Sequence, residues 1–236
     1  METEKLYPEH KKISIQKNAL EANENIAKYN KSKFEASKIF VVNLLSSPGS
    51  GKTSMLERIV PFLKDLSVKA CVIEGDVETD LDKKRIDALD IPSYQIITKG
   101  TCHLDAKMID KALASSNFDL INSDILFIEN VGNLVCPTSF NLGEDFKIVV
   151  LSITEGDDKP LKYPAAFYKS DIMIINKIDL LNVLDSNIKK IKENALSINN
   201  KLKIFEISCK TNEGIKELAN YFMEQIINKR ENNETK

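Results

Sequence analysis

The chain has 236 residues, 42% of them apolar, which suffices to close a hydrophobic core and excludes a disordered or low-complexity scaffold. Lys and Arg number 33 against 35 Asp and Glu, a formal net charge of −2, which excludes the positive field needed for nucleic acid as a main partner. The apolar runs are shorter than the ~18 residues of a membrane helix and the first residues carry no apolar signal segment, so we expect no membrane partner and a cytoplasmic location.

Residues 1–38 are predicted to form a helical extension that leads into the main domain. This segment is rich in Lys, Glu and Asn. Its apolar residues recur at helical spacing; they are Ile15, Ala19, Ala22, Ile26 and Tyr29. The pattern predicts an amphipathic helix with these residues as its apolar face.

From residue 39 onward, short apolar runs alternate with helical patterns. The strand candidates are 39–45, 70–75, 94–98, 125–131, 148–153, 172–175 and 203–208. The helical patterns cover 54–66, 81–89, 104–114, 188–198 and 215–227. Strands that are apolar throughout are buried on both faces, as in a parallel sheet covered by helices. We therefore predict an α/β fold with a doubly wound, mainly parallel sheet over residues 39–228, followed by a disordered tail at 229–236.

The first predicted strand is followed by a loop of small residues. The loop reads Ser46-Ser47-Pro48-Gly49-Ser50-Gly51-Lys52-Thr53, and a helical pattern opens at Ser54. Such a loop directs successive backbone N–H groups at phosphate oxygens, and the positive end of the helix faces the same anion. Lys52 is then expected to reach the β- and γ-phosphates and Thr53 to hold Mg²⁺. The strict P-loop pattern has Gly at the position of Ser46, so the alternative is an ordinary Gly/Ser turn.

A second motif, Asn176-Lys177-Ile178-Asp179, follows the sixth predicted strand. Asp179 can accept two hydrogen bonds from the N1–H and 2-amino edge of guanine, Asn176 can bond the O6/N7 side, and the Lys177 stem can cover the ring. Adenine lacks the 2-amino group and would leave the carboxylate unpaired, so the motif favours GTP or GDP over adenine nucleotides. After the last strand, Ser208-Cys209-Lys210 is expected to contact the base through backbone N–H groups.

Two acidic strand ends complete the predicted GTPase site. Asp76 ends the second strand and is placed to hold Mg²⁺ through water or to orient the attacking water. Glu129 ends the fourth strand and would support the metal shell, and the N–H of Gly132 would meet the γ-phosphate. The predicted catalytic residues are therefore Lys52, Asp76 and Glu129. We see no arginine in an obvious position near the phosphates and no glutamine after Gly132, so we expect slow hydrolysis.

Cys102, His103 and Cys136 are candidate ligands of a softer metal. Sulfur and imidazole suit Ni²⁺ or Zn²⁺, and not Mg²⁺ or Ca²⁺. Their spacing matches no standard metal motif, so the alternative is a chance Cys/His pair in a loop. Cys136 lies four residues after Gly132, so a loop that senses the γ-phosphate could also move a metal ligand. The other cysteines, Cys71 and Cys209, lie in apolar runs typical of the core.

Together these segments resemble the HypB family of hydrogenase nickel-incorporation GTPases. The matching segments are 46–53, Gly75-Asp76 with Thr79, Asp82 and Arg85-Ile86, then Cys102 to Ala106, Glu129 to Pro137, and 176–179. The segment Glu129-Asn130-Val131-Gly132-Asn133-Leu134-Val135-Cys136-Pro137 is highly specific to that family.

The resemblance implies a metallochaperone GTPase that dimerises with GTP and delivers Ni²⁺ to [NiFe]-hydrogenase precursors together with a nickel chaperone of the HypA type. It also implies that Cys102, His103 and Cys136 bind Ni²⁺ or Zn²⁺ near the dimer interface. We expect the helix at 104–114 and the Cys102 loop to offer the dimer surface. The sequence contains no His-rich stretch and no Cys-x-x-Cys-Gly-Cys motif, so the Cys/His site is expected to carry the metal alone.

Two alternative functions stay open. The urease nickel-insertion GTPase UreG belongs to the same class, although its Cys-Pro-His motif is absent from this sequence. A regulatory GTP-binding module would share the nucleotide motifs, and in it Cys102 and Cys136 would be only structural.

Overall fold

The sheet is parallel throughout, as the sequence predicted. A computed structural model describes residues 9–78, 81–115, 120 and 122–234, without the side chains of 9–17, 233 and 234; Thr79 lies outside this part. Its strands are β1 Phe40–Ser46, β2 Ala70–Asp76, β3 Ser93–Ile97, β4 Ile125–Glu129, β5 Phe146–Ser152, β6 Ile172–Asn176 and β7 Lys203–Glu206. They pair in the order β3-β2-β4-β1-β5-β6-β7. The predicted α/β, doubly wound fold is confirmed.

Helices cover both faces of the sheet. They are α1 Glu9–Ala36, α2 Lys52–Asp65, α3 Leu81–Asp87, α4 Ala106–Leu113, α5 Lys159–Lys162, α6 Pro164–Tyr168, α7 Ile188–Ile198 and α8 Ile215–Glu234. One apolar cluster joins α2, α3 and α8 to one face, while α1, α4, α6 and α7 pack on the other. Successive strand residues alternate between the faces: Val42 joins the first cluster and Val41 an opposite one.

The N-terminal helix is present as α1, but the predicted apolar face is not the buried one. Ala19 and Ala22 are exposed, and Tyr29 keeps 57% of its surface in solvent. Among the described side chains of α1, which do not include that of Ile15, the buried stripe consists instead of Asn23, Ala27, Asn30 and Phe34. Polar residues can occupy such a stripe when their amides bond to backbone groups, as these asparagines do.

Helix α8 continues through residues 229–234, so the prediction of a disordered tail was wrong for most of that segment. Lys229 Nζ donates to the carbonyl of Ile39, and Arg230 pairs with Asp124. These charged residues therefore tie the last turns of α8 to the amino-terminal ends of β1 and β4. In the described part of the chain, no helix has both the length and the apolar character that a membrane crossing requires.

Candidate nucleotide and metal site

A cleft of about 510 Å³ opens at the carboxyl ends of β1, β2 and β4. The predicted P-loop lines it, together with Asp76, Glu129 and Gly132. The parallel sheet brings these distant segments together because each of them follows a strand that ends at the same edge.

The P-loop has the backbone shape that phosphate binding needs. Gly49 and Gly51 have φ angles of +77° and +99°, which glycine adopts at little cost. A Cβ on Gly51 would lie 2.4 Å from Asn176 Nδ2, so only glycine fits there. Lys52 is buried, and its Nζ donates to Ser46 Oγ at 2.8 Å. Ser46, which stands where the strict P-loop pattern has Gly, thus holds the P-loop lysine in place.

Two buried carboxyl groups lie behind the P-loop threonine. Thr53 Oγ1 donates to Glu129 Oε1 at 2.7 Å. Glu74 on β2 lies beside Glu129 on β4 in the register of the sheet. The Oε2 atoms of both glutamates are buried without a hydrogen-bond partner among the described residues. Burial, reinforced by Glu129, raises the pKa of Glu74 to about 8, and burial also raises the pKa of Glu129.

These groups fit Mg²⁺, because a divalent cation would stabilise both carboxylates and could be coordinated by their unpaired oxygens. Thr53, Asp76 and Glu129 would hold the ion, with Glu74 beside them. Sequence reasoning missed Glu74, although a carboxylate inside an otherwise apolar strand was a usable signal.

Arg85 corrects the expectation that no arginine lies near the phosphates, because it lines the cleft. Its guanidinium bonds both carboxylate oxygens of Glu57, at 2.9 and 2.8 Å, and Asp82 at 3.0 Å. It also donates to Ser54 Oγ at 2.9 Å. Two carboxylates therefore neutralise this arginine and hold it against α2.

A second cleft, of about 450 Å³, contains the predicted guanine-binding residues Lys177, Asp179, Cys209 and Lys210. Ser208 Oγ donates to Asp179 Oδ1 at 2.6 Å, which fixes the orientation of that carboxylate. Burial raises the pKa of the Cys209 thiol to about 11, so this cysteine stays protonated at neutral pH.

Asn176 joins several loops of the site, and its predicted contact with the base stays a prediction. Its Nδ2 donates to the Ser50 carbonyl at 2.9 Å, and its Oδ1 accepts from the backbone N–H groups of Lys177 and Cys209. Lys177 Nζ also donates to the Gly49 carbonyl at 2.8 Å. Both residues therefore tie the base-binding loops to the phosphate loop.

Glu155 is another residue that sequence reasoning missed. Its Oε1 accepts from Ser50 Oγ at 2.6 Å and from the Ser152 N–H at 2.9 Å. Burial alone would raise the pKa of Glu155, but these hydrogen bonds, together with those from Ser47 and Lys159, outweigh it and hold the pKa below its ordinary value. The carboxylate thus connects the P-loop to the end of β5. Its bond to the Ser152 N–H belongs to a capping box, which the local pattern Ser-x-x-Glu indicates, whereas no local pattern indicates the bond from Ser50.

The predicted soft-metal residues come together. The ligand atoms of Cys102, His103 and Cys136 all lie within 4.8 Å of one another, and all three side chains are half-buried. A metal bonded to sulfur at about 2.3 Å and to nitrogen at about 2.0 Å draws its ligand atoms to within roughly 4.5 Å. The three side chains therefore fit one Ni²⁺ or Zn²⁺ ion with small shifts.

The protonation of these ligands bears on metal binding. Burial lowers the pKa of His103, against the opposing charge of Asp105, so a neutral imidazole is available at pH 7. A hydrogen bond with Cys102, followed by burial, raises the pKa of Cys136. A metal must therefore displace a thiol proton, and its affinity will rise with pH.

Backbone and amide contacts connect the Cys102-His103 loop and the Cys136 loop, together called the metal loops, to the nucleotide cleft. Asn133 forms an isolated antiparallel bridge with Ser46, and its Nδ2 donates to the Cys102 carbonyl at 3.3 Å. The N–H of Leu104 donates to Asn130 Oδ1 at 3.0 Å. Ser46, which holds Lys52, is thus two contacts away from the candidate metal ligand Cys102.

Comparisons with known proteins agree with these features. A family model described as the CobW/HypB/UreG nucleotide-binding domain matches residues 40–206. The hydrogenase maturation factor HypB of Escherichia coli (strain K12) is 46% identical over 213 residues, covering 90% of this chain and 72% of that protein. The hydrogenase/urease maturation factor HypB of Helicobacter pylori (strain J99) is 42% identical over 224 residues, covering 94% and 90%.

A solved structure is similar over nearly the whole fold. The crystal structure of HypB from Helicobacter pylori in complex with nickel has a TM-score of 0.83 and 42% identity, covering 89% of this chain and 96% of that one. The resemblance inferred from the sequence motifs is thereby confirmed. This chain belongs to the HypB family, with a nucleotide-binding domain of the CobW/HypB/UreG type.

Proposed function

We propose that this protein is a GTP-hydrolysing nickel metallochaperone that helps to insert nickel into [NiFe]-hydrogenase precursors. The observation that carries the proposal is the cluster of Cys102, His103 and Cys136, whose ligand atoms lie within 4.8 Å of one another. Cys136 belongs to the loop that leaves the nucleotide cleft at Gly132. The names of the relatives, hydrogenase maturation factors, support hydrogenase as the destination.

In this proposal GTP or GDP and Mg²⁺ occupy the two clefts. Lys52 contacts the β- and γ-phosphates, Thr53 with Asp76 and Glu129 holds Mg²⁺, and Asp179 selects guanine. The cation supplies charge that stabilises the phosphoryl-transfer transition state. Hydrolysis is slow because the carboxylates of Glu57 and Asp82 pair with Arg85, the one arginine that lines the phosphate cleft among the described residues.

Nickel is the cargo of the Cys/His site and is passed on through partners. A HypA-type nickel chaperone and the hydrogenase large-subunit precursor are the partners that this role requires. Delivery to urease is the second candidate, because the Helicobacter relatives are named for both enzymes.

Nucleotide and metal should alter each other's affinity. The bridge from Ser46 to Asn133, and from Asn133 to the Cys102 carbonyl, provides a route for this coupling. Linkage between two sites is reciprocal, and its usual size is about 1–3 kcal/mol, or about 5- to 150-fold in affinity. The proposal commits to the existence of the coupling and not to its sign.

Nickel titrations of the GDP form and of a GTP-analogue form test the proposal, with thiolate-to-nickel charge-transfer absorption and calorimetry as readouts. We expect the native chain to bind nickel with different affinities in the two forms. Cys136→Ala should weaken binding by about 100-fold or more, since it removes one ligand. Cys71→Ala, which removes a buried thiol outside the cluster, is the matched control.

Two results would contradict the proposal. Native nickel affinity in Cys136→Ala would support a regulatory GTP-binding module with structural cysteines. Equal turnover of ATP and GTP by the native chain would remove the guanine assignment, with Lys52→Ala as the control that abolishes nucleotide binding.

A further inference from the structure

Two asparagines of α1 hold the backbone of one residue, Ala106, near the metal ligands. The N–H of Ala106 donates to Asn23 Oδ1 at 2.8 Å, and the Ala106 carbonyl accepts from Asn30 Nδ2 at 2.8 Å. Ala106 begins α4, three residues after His103. Both backbone polar groups of this one residue are therefore bonded by side chains from the same face of α1, two turns apart.

The same two amides also bond the segment that follows the other ligand. Asn23 Nδ2 donates to the Asn141 carbonyl at 2.8 Å, and Asn30 Nδ2 donates to the Leu142 carbonyl at 3.3 Å. The backbone of α1 lies close to this segment as well, because a Cβ on Gly143 would lie 2.7 Å from the Ala27 carbonyl oxygen.

The two bonded segments already touch each other at a metal ligand. The His103 ring stacks on Phe140, with centroids 3.9 Å apart and the planes 24° from parallel. Phe140 lies directly after the short 3₁₀ turn Pro137–Ser139, which Cys136 precedes. Fixing Ala106 relative to residues 141–142 therefore fixes the His103 loop relative to the Cys136 loop.

We propose that Asn23 and Asn30 are positioning residues of the metal site, which set the separation between the Cys102-His103 loop and the Cys136 loop. The inference rests on the proposed function only in naming nickel as the ion. Outer groups that orient metal ligands typically change metal affinity by about 10- to 100-fold when they are removed.

The chemistry of Asn30 favours this role over simple packing. Its side chain is fully buried, and its Oδ1 has no hydrogen-bond partner among the described residues. An unpaired buried oxygen costs free energy, which an apolar residue of similar size would avoid. The amide therefore contributes through the two bonds that its Nδ2 donates, and these are the bonds that join the two loops.

Asn30→Asp tests the proposal, because it keeps the shape of the side chain and removes the donor. Asn199→Asp is the matched control: Asn199 Nδ2 donates to the carbonyls of Phe167, Tyr168 and Ser170, away from the metal loops. Three quantities would be measured for each full-length protein: Ni²⁺ affinity from the charge-transfer band, GDP affinity, and the urea midpoint of unfolding.

We expect Asn30→Asp to weaken Ni²⁺ binding by about 10-fold or more, as for other groups that orient metal ligands. Its GDP affinity should be unchanged, and Asn199→Asp should bind Ni²⁺ like the native chain. Native Ni²⁺ affinity in a folded Asn30→Asp protein would overturn the proposal. So would an equal loss in Asn199→Asp at a similar urea midpoint, because that result would indicate a general loss of stability.

A metal-free measurement separates this inference from the nickel assignment. Diamide oxidises two neighbouring thiols to a disulfide and is itself reduced to the hydrazine, so the rate of Cys102–Cys136 disulfide formation reports how the loops are aligned. Asn30→Asp should slow this rate, while Asn199→Asp should leave it unchanged. If the native chain binds no nickel but the rates differ as expected, the nickel assignment fails and the positioning role stands; equal rates overturn the positioning role.

Discussion

At the scale of single residues, several residues of the nucleotide site form hydrogen bonds with one another. Ser46 holds Lys52, Ser208 holds Asp179, and Asn176 joins the phosphate loop to the base loops. Each bond removes rotamer freedom that binding would otherwise have to restrict. The site is thereby preorganised by contacts that residue types alone do not reveal.

Asp179→Asn should abolish the preference for GTP over ITP, which differs from GTP only by the missing 2-amino group. The native carboxylate can accept a bond from that group, and hydrogen bonds to charged groups contribute about 1.5–3 kcal/mol, or about 10- to 150-fold. Competition binding with both nucleotides measures the ratio. Asp185→Asn, an exposed aspartate on the following loop, should keep the native ratio; a preserved ratio in Asp179→Asn would contradict the assignment.

At the scale of elements, the apolar runs predicted all seven strands, and the P-loop and guanine motifs predicted which strand ends carry the site. Burial on both faces produces a strong local signal, so such strands can be read from sequence. The short helices α5 and α6 were not predicted, because each is too brief for a periodic pattern to emerge. Both begin around a proline, at Pro160 and Pro164.

Other features could not be predicted because they depend on tertiary contacts. The buried face of α1 contains Asn23 and Asn30, whose partners lie far away in sequence. Glu155 and Glu74 acquire their roles only when β5 and β2 take their places in the sheet beside β1 and β4. Periodicity reports where apolar residues recur, and it contains no information on which backbone groups a buried amide will meet.

The connection between the P-loop and β5 should make stability depend on pH through Glu155. Its folded pKa is lowered from the ordinary 4.5, so the carboxylate stabilises the fold above about pH 4.5, and this contribution is lost as the pH falls through the lower folded value. Glu155→Gln should reduce the free energy of unfolding at pH 7, on the order of 1–3 kcal/mol.

Urea unfolding at pH 7, 5, 4 and 3 checks the sign of this effect. The difference between the native chain and Glu155→Gln should be constant from pH 7 to 5 and shrink below pH 4.5. Glu193→Gln, on the surface of α7, serves as a control without a comparable pH-dependent difference. A difference that grows on acidification would show that the carboxylate is not stabilised by Ser50 and Ser152.

At the scale of the whole molecule, the packing of α1 narrows the surface expected for dimerisation. The sequence suggested the helix at 104–114 together with the Cys102 loop; in the structure α1 packs on α4, with Lys33 Nζ 2.6 Å from Asp110 Oδ1. The open edge of the metal loops remains, where Val135 keeps 61% of its surface in solvent next to half-buried Cys136. We therefore propose this edge as the contact in a GTP-promoted homodimer.

Light scattering should show the mass rising from 26.6 kDa toward twice that value with a non-hydrolysable GTP analogue and Mg²⁺. Val135→Asp should keep the chain monomeric, because dimerisation would bury an unpaired charge. Tyr168→Asp, at an exposed position on α6 near the opposite edge of the sheet, should dimerise like the native chain. An unchanged monomer mass for the native chain would reject the dimer.

The strand order also has a consequence for synthesis on the ribosome. β2 pairs with β3 and β4, whereas β1 pairs with β4 and β5, so β4 lies between the two strands that are translated first. Until β4 leaves the exit tunnel, β1 and the β2–β3 pair have no shared hydrogen bonds and both present unpaired strand edges. The nascent protein is thus exposed to aggregation until Glu129 has left the exit tunnel. The phosphate loop, although made early, gains the carboxylate partner of its threonine only then.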